Sequence, residues 1–333
     1  MKKKIIFFCF FILILILGPK VEKPIIFKDL PEINLSINEL KSWINQKESK
    51  FKNIKEGNES RIIFYDSIPK KTNISIVYLH GFSGSSQDGS PVHVNVAEKL
   101  NSNIYLPRLY AHGLNSNEPL IEYTGEKYLD SAREALALGK IIGEKVILMC
   151  TSTGCTAALA LAANHPEVSA LVMYAPNIRI THPLDFVATL PWGLYIVRLV
   201  EGGKYHYIKN TWKDKERFWT TKYRLEAPIQ MQKLLETSMN ENIFRKVNVP
   251  TFSGFYYKNG IEQDNVVSVE AMRTMFKQLG TEDSLKLEIA FEDGGGHEIA
   301  YDLVNENYIK VQESTLSFLR NVFNLNEDQS DQK

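Results

Sequence analysis

From residue 61 to residue 322 the spacing of hydrophobic positions switches back and forth between two periods. Short apolar runs at Arg61–Asp66, Ile74–Leu79, Asn103–Leu106, Val146–Cys150, Ala170–Tyr174, Thr251–Tyr256 and Leu285–Phe291 read as strands. Stretches with apolar residues three and four apart, at Val92–Leu100, Thr124–Ile142, Ser152–Asn164, Val266–Leu279 and about Asp302–Val322, read as helices. Strand and helix in alternation imply βαβ crossovers, so the pattern predicts an α/β fold with a mostly parallel central sheet flanked by helices. The runs 74–79 and 146–150 are almost wholly apolar, as strands covered on both faces must be.

The alternation stops between about Ile178 and Lys246. There Phe186, Trp192, Tyr195, Tyr205, Tyr207, Trp212, Phe218, Trp219 and Tyr223 are scattered among charges with no clean strand. A helical cap over the carboxyl edge of the sheet, residues 178–246, accounts for the break and for the aromatics. The core then comprises residues 61–177 and 247–323. Residues 20–60, with Pro24 and Pro31 and one amphipathic helix at Asn34–Lys47, read as a tether, and 324–333 as a flexible polar tail. At the start, three lysines precede an unbroken apolar run from Ile5 to Leu17. As a helix that run spans roughly 20 Å, short of the ~30 Å hydrocarbon core of a bilayer. Residues 1–19 therefore read as a signal peptide or short membrane anchor, which predicts an exported, extracytoplasmic or membrane-anchored protein.

The formal net charge is zero, which argues against a nucleic-acid partner and gives no preference for charged substrates. Cys9, Cys150 and Cys155 do not form a disulfide framework. His93, His165, His182 and His206 lack Cys or carboxylate partners at ligand spacing, so neither a metal nor a cofactor is expected.

Ligands of an open α/β sheet bind at the carboxyl ends of its strands, and four segments there carry polar chemistry. Cys150-Thr-Ser-Thr-Gly154 joins strand to helix in the manner of a nucleophile elbow, with a cysteine in the first glycine's place; Ser152 is either a nucleophile or an N-cap. Leu79-His-Gly-Phe-Ser-Gly84 can turn a backbone N–H inward, so the amides of Phe82 and Thr153 are candidates for an oxyanion hole, or the glycines simply make a tight loop. Gly260-Ile-Glu-Gln-Asp264 offers a carboxylate to orient a histidine; Glu262 is a rival, and Asp264 could instead cap the helix near Val266. Gly294-Gly-Gly-His297 follows the last strand, its glycines giving a mobile backbone on which His297 reaches toward the serine.

With these stretches, and with Leu106-Pro-Arg-Leu-Tyr-Ala-His-Gly113, the chain from about Arg61 to Val322 resembles the α/β-hydrolase family, and within it the monoacylglycerol lipase and carboxylesterase branch. The resemblance implies Ser152 as nucleophile, His297 as general base then acid, Asp264 as its orienting acid, and the Phe82 and Thr153 amides as oxyanion hole. It implies hydrolysis of a small-molecule carboxylic ester through an acyl-enzyme, and the aromatic cap suggests an apolar acyl group. Peptidase, thioesterase and C–C hydrolase activities share the same triad, and a noncatalytic binding domain can share the fold.

Overall fold

A computed structural model describes residues 17–181, 185–209, 212 and 215–325 of the chain. Among the described residues seven strands form one sheet: β1 Arg61–Ile63, β2 Thr72–Leu79, β3 Asn103–Leu106, β4 Gly143–Thr151, β5 Val168–Tyr174, β8 Thr251–Tyr256 and β9 Lys286–Phe291. Their order is β1-β3-β2-β4-β5-β8-β9, with only β1 antiparallel to its neighbour. Side chains of a strand alternate between faces. Val77, Leu79, Leu148, Cys150, Leu171 and Met173 therefore enter one core, and Ile76, Tyr78, Ile147, Met149, Val172 and Tyr174 the other. The first core is closed by α1 (Ile37–Glu48), α3 (Gly125–Ile142), α4 (Thr153–Ala162) and α10 (Val269–Gln278), the second by α2 (Val92–Lys99) and α11 (Tyr308–Phe323).

Each strand and helix expected from periodicity in the core is present, within a few residues at most ends. The last helix is the exception and begins at Tyr308, because residues 299–307 make turns in which Asn305 donates from Nδ2 to the Ile299 carbonyl at 2.7 Å.

Residues 20–60 do not hang as a tether. The Arg133 guanidinium, buried on α3, donates to the carbonyls of Ile25 at 3.0 Å and Ile26 at 2.6 Å. Leu40 and Ile44 of α1 are buried, and Glu48 at its end forms a buried ion pair with Arg108 at 2.8 Å. The segment is part of the core's outer layer.

The cap corrects the sequence reading in one respect. Besides α5 (Asp185–Ala188), α6 (Gly193–Val200), α7 (Lys215–Phe218) and α8 (Glu226–Ser238), it contains a two-stranded antiparallel sheet of β6 Tyr205–Tyr207 and β7 Lys222–Arg224. Three-residue strands are too short to show a period of two. A further short helix, α9 (Glu241–Phe244), leads back to β8.

Of the signal or anchor assigned to residues 1–19, residues 1–16 lie outside the described residues, as do residues 326–333 of the expected tail. Among the described residues no helix is long and apolar enough to cross a membrane.

Candidate active site

Ser152 sits between the end of β4 and the start of α4 with φ 55° and ψ −120°. An N-cap residue takes ordinary extended backbone and turns its oxygen onto the helix. Ser152 does neither, since its side chain makes no cap bond. A residue bearing a β-carbon in such a conformation costs about 1–3 kcal/mol and needs its surroundings to impose it. Here the Ser152 amide donates to the Tyr174 carbonyl at 3.0 Å, and the Ser152 carbonyl accepts from Cys155 at 2.9 Å and Asn177 at 3.0 Å. Gly154 is required by crowding, because a β-carbon there would run into the Leu79 carbonyl of the adjacent strand. No such crowding applies to Cys150. Its side chain is fully buried in the sheet's core, with the thiol 3.4 Å from the Val172 carbonyl. Burial, and then the neighbouring Cys155, pushes its pKa far up, so it holds no thiolate.

His297 and Asp264 meet across the ends of β8 and β9. The imidazole Nδ1–H donates to Asp264 Oδ2 at 2.6 Å, and Oδ1 of the same carboxylate accepts the amides of Val266 at 2.8 Å and Val267 at 3.1 Å. Burial alone would lower the His297 pKa, but the Asp264 charge and hydrogen bond outweigh it and raise the value to about 9. Burial likewise acts to raise Asp264, and the His297 charge and its three hydrogen bonds bring it below the usual value. Glu262 is exposed and engaged with Lys258 and Asn259, so it is no rival. Nor does Asp264 cap a helix: α10 starts at Val269, capped by Ser268. The three glycines before His297 form a tight turn, not a loose arm; Gly295 has φ +73° and packs where a β-carbon would strike the Val304 carbonyl.

The loop after β2 is braced from three directions. His80 accepts the Leu109 amide at 3.1 Å, and His112 accepts the Ser83 amide at 3.0 Å. Asp88, which the sequence reading passed over, accepts the Gly81 amide at 2.7 Å and the Tyr78 hydroxyl at 2.6 Å. Tyr78 in turn bonds Thr151, the residue before the elbow, at 2.7 Å. Burial raises Asp88 to about 8, against the pull of those two donors. Within a Ser- and Gly-rich stretch, Asp88 looks like a turn residue, and only its burial reveals the network. The amides of Phe82 and Thr153 have no acceptor among the described residues.

Phe82, Ser152, Thr153 and His297 all border one cavity of about 570 Å³ beneath the cap. Ser152 and His297 both line it, with no hydrogen bond formed between them. Ile180, Val197, Ile208, Leu225, Ile229 and Met231 make much of its wall apolar. Among the described residues the charged groups Lys215, Glu201 and Glu298 also reach it, none of which the sequence pattern marked. Phe82 stands edge-to-face against Tyr123 and Tyr223, with centroids at 5.2 and 5.3 Å, which fixes the loop to core and cap together. Among the described residues no cluster of His, Cys, Asp or Glu could hold a metal ion.

Residues 76–304 match the profile described as the alpha/beta hydrolase family. A search of curated proteins found no significant match by sequence. Among solved structures, the chain is similar to one from a study of LipS and LipT, two metagenome-derived lipolytic enzymes, with TM-score 0.63 and 16% identity over 80% of this chain and 99% of that one. It is also similar to Est1E from Butyrivibrio proteoclasticus bound to ferulic acid, with TM-score 0.53 and 18% identity over 79% and 94%. An esterase of Pyrococcus furiosus gives TM-score 0.51 and 13% identity over 89% and 97%. At these identities the likeness is one of fold.

Proposed function

The chain belongs to the alpha/beta hydrolase family, and from that premise we propose that it is a serine hydrolase cleaving carboxylic esters through an acyl-enzyme on Ser152. The observation that carries the reading is the strained Ser152 backbone, φ 55°, facing one cavity with a His297 already paired to Asp264. The lipolytic enzymes and the esterase among the structures of similar fold agree with it.

In this mechanism His297 Nε2 takes the proton of Ser152 Oγ as that oxygen attacks the ester carbonyl. The carbonyl oxygen becomes an oxyanion and is met by the Phe82 and Thr153 amides, which have no acceptor of their own among the described residues. Collapse of the tetrahedral intermediate expels the alcohol, which leaves with the proton from His297. Water then attacks the acyl-enzyme, giving up its proton to His297, and the acid departs as Ser152 regains its hydrogen. Asp264 holds Nδ1–H throughout and stabilises the imidazolium. The apolar wall suits an apolar acyl group, as the monoacylglycerol lipase and carboxylesterase resemblance implies.

A panel of p-nitrophenyl esters of increasing acyl length tests the reading. Wild type is expected to hydrolyse at least the short members, with Ser152→Ala reduced by about 10⁴-fold or more. Absence of ester turnover by folded wild type, or turnover that survives Ser152→Ala, overturns it.

The protein's location is part of the same proposal. The lysines and apolar run at residues 2–17 support export, with the segment either cleaved or kept as an anchor. Expression with a C-terminal tag, fractionation and N-terminal mass measurement distinguish these, and full-length protein in the cytosol contradicts both.

A further inference from the structure

Lys215 enters the cavity from α7 with a side chain placed unlike that of an ordinary lysine. It is only 9% exposed. Its ammonium lies 3.7 Å from the centre of the Trp212 ring and 5.6 Å from that of Trp219. Among the described residues no carboxylate stands within ion-pair distance and no oxygen accepts its hydrogens; Glu298, beside His297, acts on it only through space. Burial accordingly lowers its pKa. A lysine carries three donors, and aromatic faces answer the charge but not the hydrogen bonds. Lysines normally extend their heads to water. This one is held at the cavity wall.

The hold comes from behind. Lys55 Nζ donates to the carbonyls of Glu216 at 2.9 Å and Trp219 at 2.7 Å, and Asn58 Nδ2 to that of Arg217 at 3.0 Å. The Thr220 amide donates to the Ser83 carbonyl at 2.7 Å, which ties the end of α7 to the loop that bears Phe82. The cation is therefore fixed relative to the reacting centre before any ligand arrives, and its ordering cost is met by the fold.

We propose that Lys215 is a specificity-determining residue: it selects esters whose apolar body carries one carboxylate, and the carboxylate oxygens accept hydrogen bonds from its ammonium at the cavity wall. The inference rests on the serine-esterase reading and deepens it. Glu298 sharpens the selection, since its own negative charge beside His297 turns a substrate carboxylate away from the catalytic end and toward Lys215.

The test uses two matched series on the full chain. On the acyl side, mono-p-nitrophenyl adipate and suberate are compared with their monoamide counterparts, so that a carboxylate is exchanged for a neutral group of the same shape. On the alcohol side, 4-carboxyphenyl butyrate is compared with 4-carbamoylphenyl butyrate. In one of the series kcat/KM is expected to favour the carboxylate by tenfold or more. Lys215→Met should bring that ratio to about one, Lys215→Glu below one, and Lys215→Arg should keep most of it. Ratios near one in both series for an active wild type overturn the proposal, and so does a preference that survives Lys215→Met. The wild-type ratios require no variant to fold. Failure of wild type on every ester, carboxylate and amide alike, would instead remove the serine-esterase reading beneath it.

Discussion

Two residues of the elbow, Cys150 and Gly154, sit symmetrically about Ser152 and have opposite tolerances. Gly154 faces the Leu79 carbonyl, so Gly154→Ala must push the start of α4 away from the end of β2, and a loss of about 1–3 kcal/mol is expected in denaturant unfolding. Cys150 points into packed core, where Cys150→Gly removes a buried sulfur and part of the strand's propensity. That substitution should lower stability by about 1–2 kcal/mol yet keep ester hydrolysis within about threefold. A loss as deep as that of Ser152→Ala would show that the thiol takes part in the chemistry. His297 gives the third residue-scale prediction. As a base it must be neutral, and its pKa is raised to about 9, so kcat/KM should be low near neutrality and climb through the alkaline range. Asp264→Asn removes the main raising influence and should move that limb toward lower pH while reducing kcat by about 10³–10⁴-fold. A pH-independent profile from 6 to 10 would contradict the role. The same shift bears on stability. A raised histidine pKa contributes fully below its ordinary value of 6.5 and is lost as pH rises through about 9.

At the scale of elements, what sequence made legible depended on length. The long apolar strands β2, β4 and β5 and the helices between them announced themselves by period, whereas Ser152, Asp264 and His297 were singled out by their places after strand ends. β6 and β7, at three residues each, carry no period, and the residues that brace the loop after β2 come together only in three dimensions. Asp88 illustrates this: its partners Tyr78 and Gly81 precede it by ten and seven residues, and nothing in the local pattern separates it from a turn aspartate. Pro24 and Pro31 are marks of a tether by composition alone. Their segment is instead held by Arg133 through backbone carbonyls, contacts that leave no compositional trace. The ion pair at the end of α1 tests how firmly that element belongs. Glu48→Gln removes the counter-charge of the Arg108 guanidinium, whose side chain is 5% exposed and which keeps its bond to the His112 carbonyl, and should cost about 1–3 kcal/mol by denaturant unfolding. A cost under 1 kcal/mol would mean that α1 is only laid on the surface.

For the whole molecule, the N-terminal segment joins three functions that the sequence kept apart. Residues 24–48 cover the core, Lys55 and Asn58 fix α7, and α7 with the residue after it presents Lys215 and Trp219 to the cavity. A chain beginning at residue 61 is therefore expected to lose Leu40 and Ile44 from the core and to be recovered aggregated or without a cooperative unfolding transition. The central claim, that this fold carries a serine nucleophile, is tested most directly by mass. Incubated with a fluorophosphonate, the intact protein should gain one adduct per chain, located by peptide mass spectrometry on the peptide containing Ser152 and absent from Ser152→Ala. Folded wild type that takes up no adduct, or takes it up at another residue, would contradict the account.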